Sequence, residues 1–123
     1  MPQKLILIID DDNRNIFALK AVLKAKGFEC LSAISAQDGF SVLEKHDHVD
    51  IVLMDMMMPD MDGYQAIAVM KKSAKMKDIP VLAVTAQAMV GDKERCLSAG
   101  ASGYVSKPIN VDELLKQIEN FTK

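Results

Sequence analysis

The feature that most constrains the fold of this chain is an apolar run that ends in a single carboxylate. Residues 51–54 are uninterrupted apolar residues over the length of a strand, and Asp55 follows directly. The sequence then continues through Met58-Pro59 into Asp62-Gly63. An apolar run of this length, followed by turn residues, is typical of a buried strand. Asp55 is therefore predicted at the end of a buried strand, which is where ligands bind in open α/β sheets.

The rest of the chain alternates between strand-like and helix-like segments. Helices are predicted from residue 13 or 14 to 26, from Ser35 as N-cap to about 46, after Gly63, over 86–99 and from Asn110 as N-cap. The segment 86–99 is the weakest of these because its apolar pattern is poor and it contains Gly91. Strands are predicted at residues 5–9, 28–33, 51–54, 81–84 and 102–105. Right-handed crossovers through the helices make such strands parallel, so we predict a three-layer α/β fold.

Polar residues with reactive or metal-binding side chains follow the ends of four predicted strands. They are Asp10 and Asp11 after the first, Asp55 after the third, Thr85 after the fourth and Lys107 after the fifth. In a parallel sheet all of these lie at one edge. Clustered carboxylates repel one another unless a cation is present, and hard oxygen ligands of this kind suit Mg²⁺. A carboxylate nucleophile that forms an acyl phosphate, with a cation, a lysine and a hydroxyl to stabilise the phosphoryl group, fits this set.

The same residues carry a family resemblance. The acidic pair Asp10-Asp11, Asp55 with Met58-Pro59 and Asp62-Gly63, Thr85-Ala86 and Lys107-Pro108 resemble, in order and spacing, the receiver domain of two-component response regulators. The resemblance covers almost the whole chain. It implies a flavodoxin-like, doubly wound five-stranded sheet in the order 2-1-3-4-5 and a phosphoacceptor role for Asp55. The phosphoryl donor would be the phosphohistidine of a histidine kinase or a histidine phosphotransfer protein.

The resemblance also implies a role for each site residue. Mg²⁺ would be held directly by Asp11 and Asp55, through water by Asp10, and by the backbone carbonyl of Met57. Lys107 would contact the phosphoryl group, with a cis peptide bond to Pro108. Thr85 and Tyr104 would form the switch pair that changes the surface of helix 4, strand 5 and helix 5. Such a domain is no enzyme toward other substrates, because it catalyses only its own phosphorylation and dephosphorylation.

Length, composition and charge limit the other classes of protein to which this chain could belong. With 123 residues and half of them hydrophobic, we predict one ordered domain over residues 1–123. A net charge of −2 gives no argument for direct nucleic-acid binding. The absence of a long apolar run argues against membrane insertion, and the early acidic residues argue against a signal peptide. Two cysteines without metal spacing, Cys30 and Cys96, indicate thiols in a reducing cytoplasm.

Several alternatives stay open at this level. Asp10-x-Asp12 superficially matches the motif of haloacid-dehalogenase-like phosphatases with an aspartyl nucleophile, although Arg14 stands where that motif has Thr or Val. A phosphate-independent binding module is a third class. The chain could be a stand-alone regulator or the receiver of a hybrid sensor histidine kinase, and a phosphorylation-dependent dimer is compatible with either.

Overall fold

The computed structural model describes residues 3–86 and 91–122 as one α/β fold. Five parallel strands form a single sheet in the order β2-β1-β3-β4-β5, which confirms the predicted order. The strands are β1 (Leu5–Ile9), β2 (Glu29–Ala33), β3 (Ile51–Asp55), β4 (Val81–Thr85) and β5 (Gly103–Ser106). The helices are α1 (Asn13–Ala25), α2 (Ala36–Lys45), α3 (Gly63–Lys71), α4 (Asp92–Ala99) and α5 (Val111–Phe121).

The two faces of the sheet bury two separate hydrophobic clusters. Side chains alternate along a strand, so Leu7 and Ile9 of β1 lie on one face and Ile6 and Ile8 on the other. The first face is covered by apolar side chains of α2, α3 and α4, and the second by those of α1 and α5. Both faces are therefore buried, which explains why the central strands are continuous apolar runs.

Helix termini follow the predicted capping residues. Ser35 accepts a hydrogen bond from the Asp38 amide at the start of α2, and Asn110 accepts one from the Glu113 amide at the start of α5. Both contacts are N-caps, which satisfy amide groups left without partners in the first turn. Gly27 follows α1 with a φ of 92°, the left-handed conformation that commonly ends a helix.

Helix α4 is shorter than predicted. The expected helix over residues 86–99 begins only at Asp92, so its predicted start was wrong. Gly91 has a φ of 93°, a left-handed conformation that an α-helix does not contain, and the helix therefore starts after it. Residues 87–90 of the predicted helix lie outside the described residues. Smaller shifts occur at β2, which starts at Glu29, and at β5, which ends at Ser106.

Candidate phosphorylation site

Three polar side chains are buried in the described part of the chain, and all three lie at the carboxyl edge of the sheet. Asp10 follows β1, Asp55 ends β3 and Thr85 ends β4, and each is at most 4% exposed. Burial of a carboxylate is costly unless a cation or hydrogen bonds stabilise it. Two buried carboxylates at one strand edge therefore indicate a site that is built to hold positive charge.

Lys107 supplies part of that charge. Its Nζ lies 3.6 Å from Asp10 Oδ2 and 3.7 Å from Asp55 Oδ2, so one ammonium group bridges both buried carboxylates. The residue follows β5, and its backbone amide donates to the Thr85 carbonyl at the end of β4. The peptide bond from Lys107 to Pro108 is cis, as predicted.

Asp55 has an unusual proton affinity. Burial is the main cause that raises the pKa of Asp55 from 3.8 to about 6, and repulsion by Asp10 and Asp11 acts in the same direction. A hydrogen bond from the Met57 amide to Asp55 Oδ1, at 3.0 Å, and the nearby Lys107 oppose the shift. A carboxylate in such surroundings remains ionised at neutral pH but is destabilised, and a cation would relieve that destabilisation.

Three carboxylates are placed to bind a metal ion together. One oxygen each from Asp10, Asp11 and Asp55 lies within 4.8 Å of the other two, with Asp11 exposed at the rim. The donor set consists of carboxylate oxygens with one side open to solvent, which is the kind of site that Mg²⁺ occupies with several waters retained. The residues present thus fit the predicted cation.

Asp12 does not join this cluster. Its Oδ1 accepts a hydrogen bond from the Arg14 amide at 2.9 Å, so it serves as the N-cap of α1. The Asp12 amide donates to Asp10 Oδ1 at 2.8 Å. The pair Asp10 and Asp12 is therefore not arranged as the nucleophile and acid of a hydrolase.

The predicted switch residues lie on β4 and β5, the two strands that follow β3 in the sheet. Thr85 is buried at the end of β4. Tyr104 of β5 is half-buried and packs against the hydrophobic cluster that contains Cys96 of α4. Burial raises the pKa of Tyr104, and the nearby Asp92 raises it further. Met57, whose carbonyl was predicted as a metal ligand, has a half-exposed side chain.

Comparisons with known proteins agree with this geometry. The family described as "Response regulator receiver domain" matches residues 6–119. The chain belongs to this family. The polar-differentiation response regulator DivK of Brucella ovis is 32% identical over 118 residues, which are 96% of this chain and 95% of that protein. Receiver domains are signalling switches of two-component systems, and they interact with histidine kinases.

Solved structures of receivers have the same fold. A putative response regulator from Chloroflexus aurantiacus has a TM-score of 0.91 and 29% identity, with 98% of each chain covered. The receiver domain of a sensor histidine kinase from Pseudomonas aeruginosa has a TM-score of 0.88 and 28% identity, also with 98% of each chain covered. That structure has a magnesium ion coordinated in its active site cleft. Within residues 3–86 and 91–122 of the present receiver, no helix has the length and apolar character needed to cross a bilayer.

Sequence reasoning missed contacts that surround the site of this receiver. Asp62 and Gln65 form a capping box at the start of α3, a signature that is readable from their spacing. Gln117 binds the backbone of Tyr104 through both its side-chain oxygen and nitrogen. Tyr64 contacts both Arg95 and Cys96 of α4. The last two sets of contacts join residues from different elements, so no local sequence pattern predicts them.

Proposed function

We propose that this receiver domain, taken as one unit over residues 1–123, accepts a phosphoryl group on Asp55 from the phosphohistidine of a partner protein. The observation that supports this most directly is the position of Asp55, which is buried at a strand end with Lys107 Nζ 3.7 Å from its Oδ2. In the transfer, an Asp55 carboxylate oxygen forms a bond to phosphorus while the bond from phosphorus to the histidine nitrogen breaks. The bonding pair leaves with the imidazole nitrogen, and no oxidant or reductant is needed.

Residues of this chain are placed to orient Asp55 and to stabilise the charge on the phosphoryl group. The Met57 amide donates to Asp55 Oδ1 and leaves Oδ2 on the side of Lys107. Lys107 is placed to neutralise charge that develops on the phosphoryl oxygens, because preorganised cations stabilise such transition states. Thr85, buried at the neighbouring strand end, offers a hydroxyl to the same group.

We propose Mg²⁺ as the cofactor of this receiver. Asp11 and Asp55 would bind it directly, Asp10 through water, and Met57 through its backbone carbonyl. The mutual proximity of the three carboxylates supports this assignment, as does the magnesium ion of the Pseudomonas aeruginosa receiver. Bound Mg²⁺ would supply positive charge to the phosphoryl oxygens and lower the repulsion among the carboxylates.

The partner is proposed to be a histidine kinase or a histidine phosphotransfer protein in the cytoplasm. An apolar groove of about 300 Å³ opens beside Asp10 and Lys107, between α1 and the segment that leads into α5. Phe17 of α1 is 77% exposed and adds apolar surface on the same helix. An apolar surface next to the acceptor suits a partner helix that presents a histidine, whereas it offers nucleic acid no basic patch.

The output is proposed to pass through Thr85 and Tyr104 to the surface of α4, β5 and α5. Thr85 ends β4, the strand that pairs with β3, and Tyr104 of β5 packs against the hydrophobic cluster that contains Cys96 of α4. A phosphoryl oxygen that attracts the Thr85 hydroxyl would shift the loop after β4, and Tyr104 would move with it. A dimer that forms through this surface on phosphorylation is compatible with the proposal.

The acceptor can be tested with a small phosphodonor. Incubation of the protein with Mg²⁺ and acetyl phosphate should add one phosphoryl group, observed by intact mass, which is lost at alkaline pH as acyl phosphates are. Asp55→Asn should abolish the adduct, because an amide does not act as the nucleophile. Asp12→Asn is the matched control and should still be labelled, since Asp12 caps α1 outside the cluster. Normal labelling of Asp55→Asn would remove Asp55 from its role.

A further inference from the structure

Helix α4 has few buried anchors of its own. Cys96 is the buried residue among its eight, while Leu97 is 40% exposed. The N-cap residue is Gly91, which has no side chain to accept a hydrogen bond from the first turn of the helix. A short helix with one buried side chain has low local stability unless contacts from neighbouring elements hold it.

Tyr64 of α3 provides such contacts. Its hydroxyl lies 3.6 Å from Cys96 Sγ, and the guanidinium carbon of Arg95 lies 4.0 Å from the centre of its ring. The first is a hydrogen bond in which either atom can donate, and the second is a cation–π contact. Burial and the bond to Cys96 raise the pKa of Tyr64 to about 12, so its hydroxyl remains protonated at neutral pH. Two successive residues of α4 therefore contact one side chain of α3.

Tyr64 is also tied to the backbone around Asp55. It follows Gly63, whose amide donates to the Met56 carbonyl. A Cβ added at Gly63 would lie 2.7 Å from Met56 Cα and 3.0 Å from the Asp55 carbonyl oxygen. The start of α3 therefore lies in close contact with the Asp55–Met56 backbone. The capping box of Asp62 and Gln65 holds the same turn.

We infer that Tyr64 is a positioning residue that couples the phosphoacceptor loop to α4 through α3, by a route that does not include Thr85. The Tyr64 contacts exist together with the ion pair between Lys107 and Asp55. They therefore stabilise the arrangement of α4 that accompanies an unmodified, lysine-paired Asp55, and they oppose the movement of α4 that phosphorylation drives. The inference rests on the proposed function, because it concerns how the state of Asp55 reaches α4.

The hold on α4 can be measured without any phosphoryl group. Tyr64→Phe removes the bond to Cys96 but keeps the ring under Arg95. One lost hydrogen bond corresponds to about a 2- to 5-fold change in an opening equilibrium. We expect amides of α4 to exchange with solvent faster by about this factor, while amides of α5 keep their rates. Arg95→Gln should act in the same direction. Lys93→Arg, an exposed change on the same helix that keeps the charge, is the matched control and should leave the rates unaltered.

The coupling is tested by titration with beryllofluoride and Mg²⁺. If Tyr64 opposes the activated arrangement, Tyr64→Phe should raise the apparent affinity by about the factor that it adds to α4 opening, because a ligand shifts an equilibrium by its differential affinity. The gain should persist in a Thr85→Ala background, since the route is separate. A purely structural role would speed exchange of α4 and leave the affinity unaltered.

Each outcome decides between these possibilities. Unaltered exchange in both Tyr64→Phe and Arg95→Gln shows that Tyr64 does not stabilise α4, and unaltered affinity with faster exchange shows that this stabilisation is not coupled to Asp55. Either result overturns the inference. If the parent protein does not bind beryllofluoride, the proposed function fails and the coupling falls with it, whereas the exchange rates still decide whether Tyr64 holds α4.

Discussion

At the scale of single residues, the site is organised around the cost of burying Asp55. A pKa raised to about 6 means that the folded protein holds a proton on this carboxyl under conditions where the unfolded chain, with a value near 3.8, has released it. Between these values folding takes up a proton, so the free energy of unfolding decreases as pH rises through this window. Above pH 6 the ionised Asp55 destabilises the fold in full, and the bridging Lys107 only partly offsets this.

This balance predicts that Asp55→Asn stabilises the metal-free protein. At pH 8 with a chelator present, we expect the free energy of unfolding to increase by about 2 kcal/mol, because the amide removes a buried charge at similar size. The gain should shrink as pH falls toward 4, because the folded protein then holds a proton on Asp55 and ionisation no longer costs it stability. Urea denaturation at several pH values measures it.

The control for this prediction is Asp12→Asn. Asparagine is a good N-cap, so the hydrogen bond from the Arg14 amide should persist and the change should add no stability that depends on pH in this window. An equal gain for Asp55→Asn at pH 4 and pH 8 would mean that the buried charge is not its source.

At the scale of elements, the exposed edge of the sheet at β5 is closed by a side chain. Gln117 of α5 accepts a hydrogen bond from the Tyr104 amide at 3.2 Å and donates one to the Tyr104 carbonyl at 2.8 Å. It thereby takes the place that a sixth strand would occupy. A Cβ at Gly103 would lie 2.5 Å from Gln117 Oε1, so a larger residue there would displace the Gln117 side chain. Edge strands are a risk for association unless they are blocked in some such way.

Gln117→Ala should therefore loosen β5 selectively. Both backbone groups of Tyr104 lose their partner on α5, and we expect a loss of about 1–2 kcal/mol in the free energy of unfolding. The Tyr104 amide should exchange faster with solvent, and self-association should increase at high protein concentration. Lys116→Ala, an exposed change at the preceding position, should leave all three quantities close to those of the parent. An unchanged Tyr104 exchange rate would contradict the proposed closure.

At the scale of the whole molecule, most of the fold could be predicted from sequence because its signals are local. Apolar runs of strand length alternate with helical stripes, and Ser35 and Asn110 mark two helix starts. The placement of Asp10, Asp55 and Lys107 at one edge then follows from parallel strands alone. Their contacts in the structure confirm that step.

The contacts that could not be predicted depend on how helices lie against the sheet. Gln117 stands four residues after Glu113 and looks like part of a solvated helix face until the register of α5 on β5 is known. Tyr64 meets Cys96 across 32 positions of sequence, through the docking of α3 and α4. The start of α4 was misplaced because a helical pattern does not show the conformation of Gly91.

The response of the whole domain to a phosphate mimic is the last prediction. Addition of beryllofluoride with Mg²⁺ should shift amide signals most at Thr85, in α4 and at Tyr104. Thr85 ends the strand that pairs with β3, Tyr104 lies on the next strand, and α4 is weakly anchored. Thr85→Ala should still bind the mimic, since Asp55 and Lys107 remain, but should lose most of the response at Tyr104. Two-dimensional NMR of both proteins measures this. If the largest shifts fall on α1 and α2 instead, the signal leaves the site by another path, even with Asp55 as the acceptor.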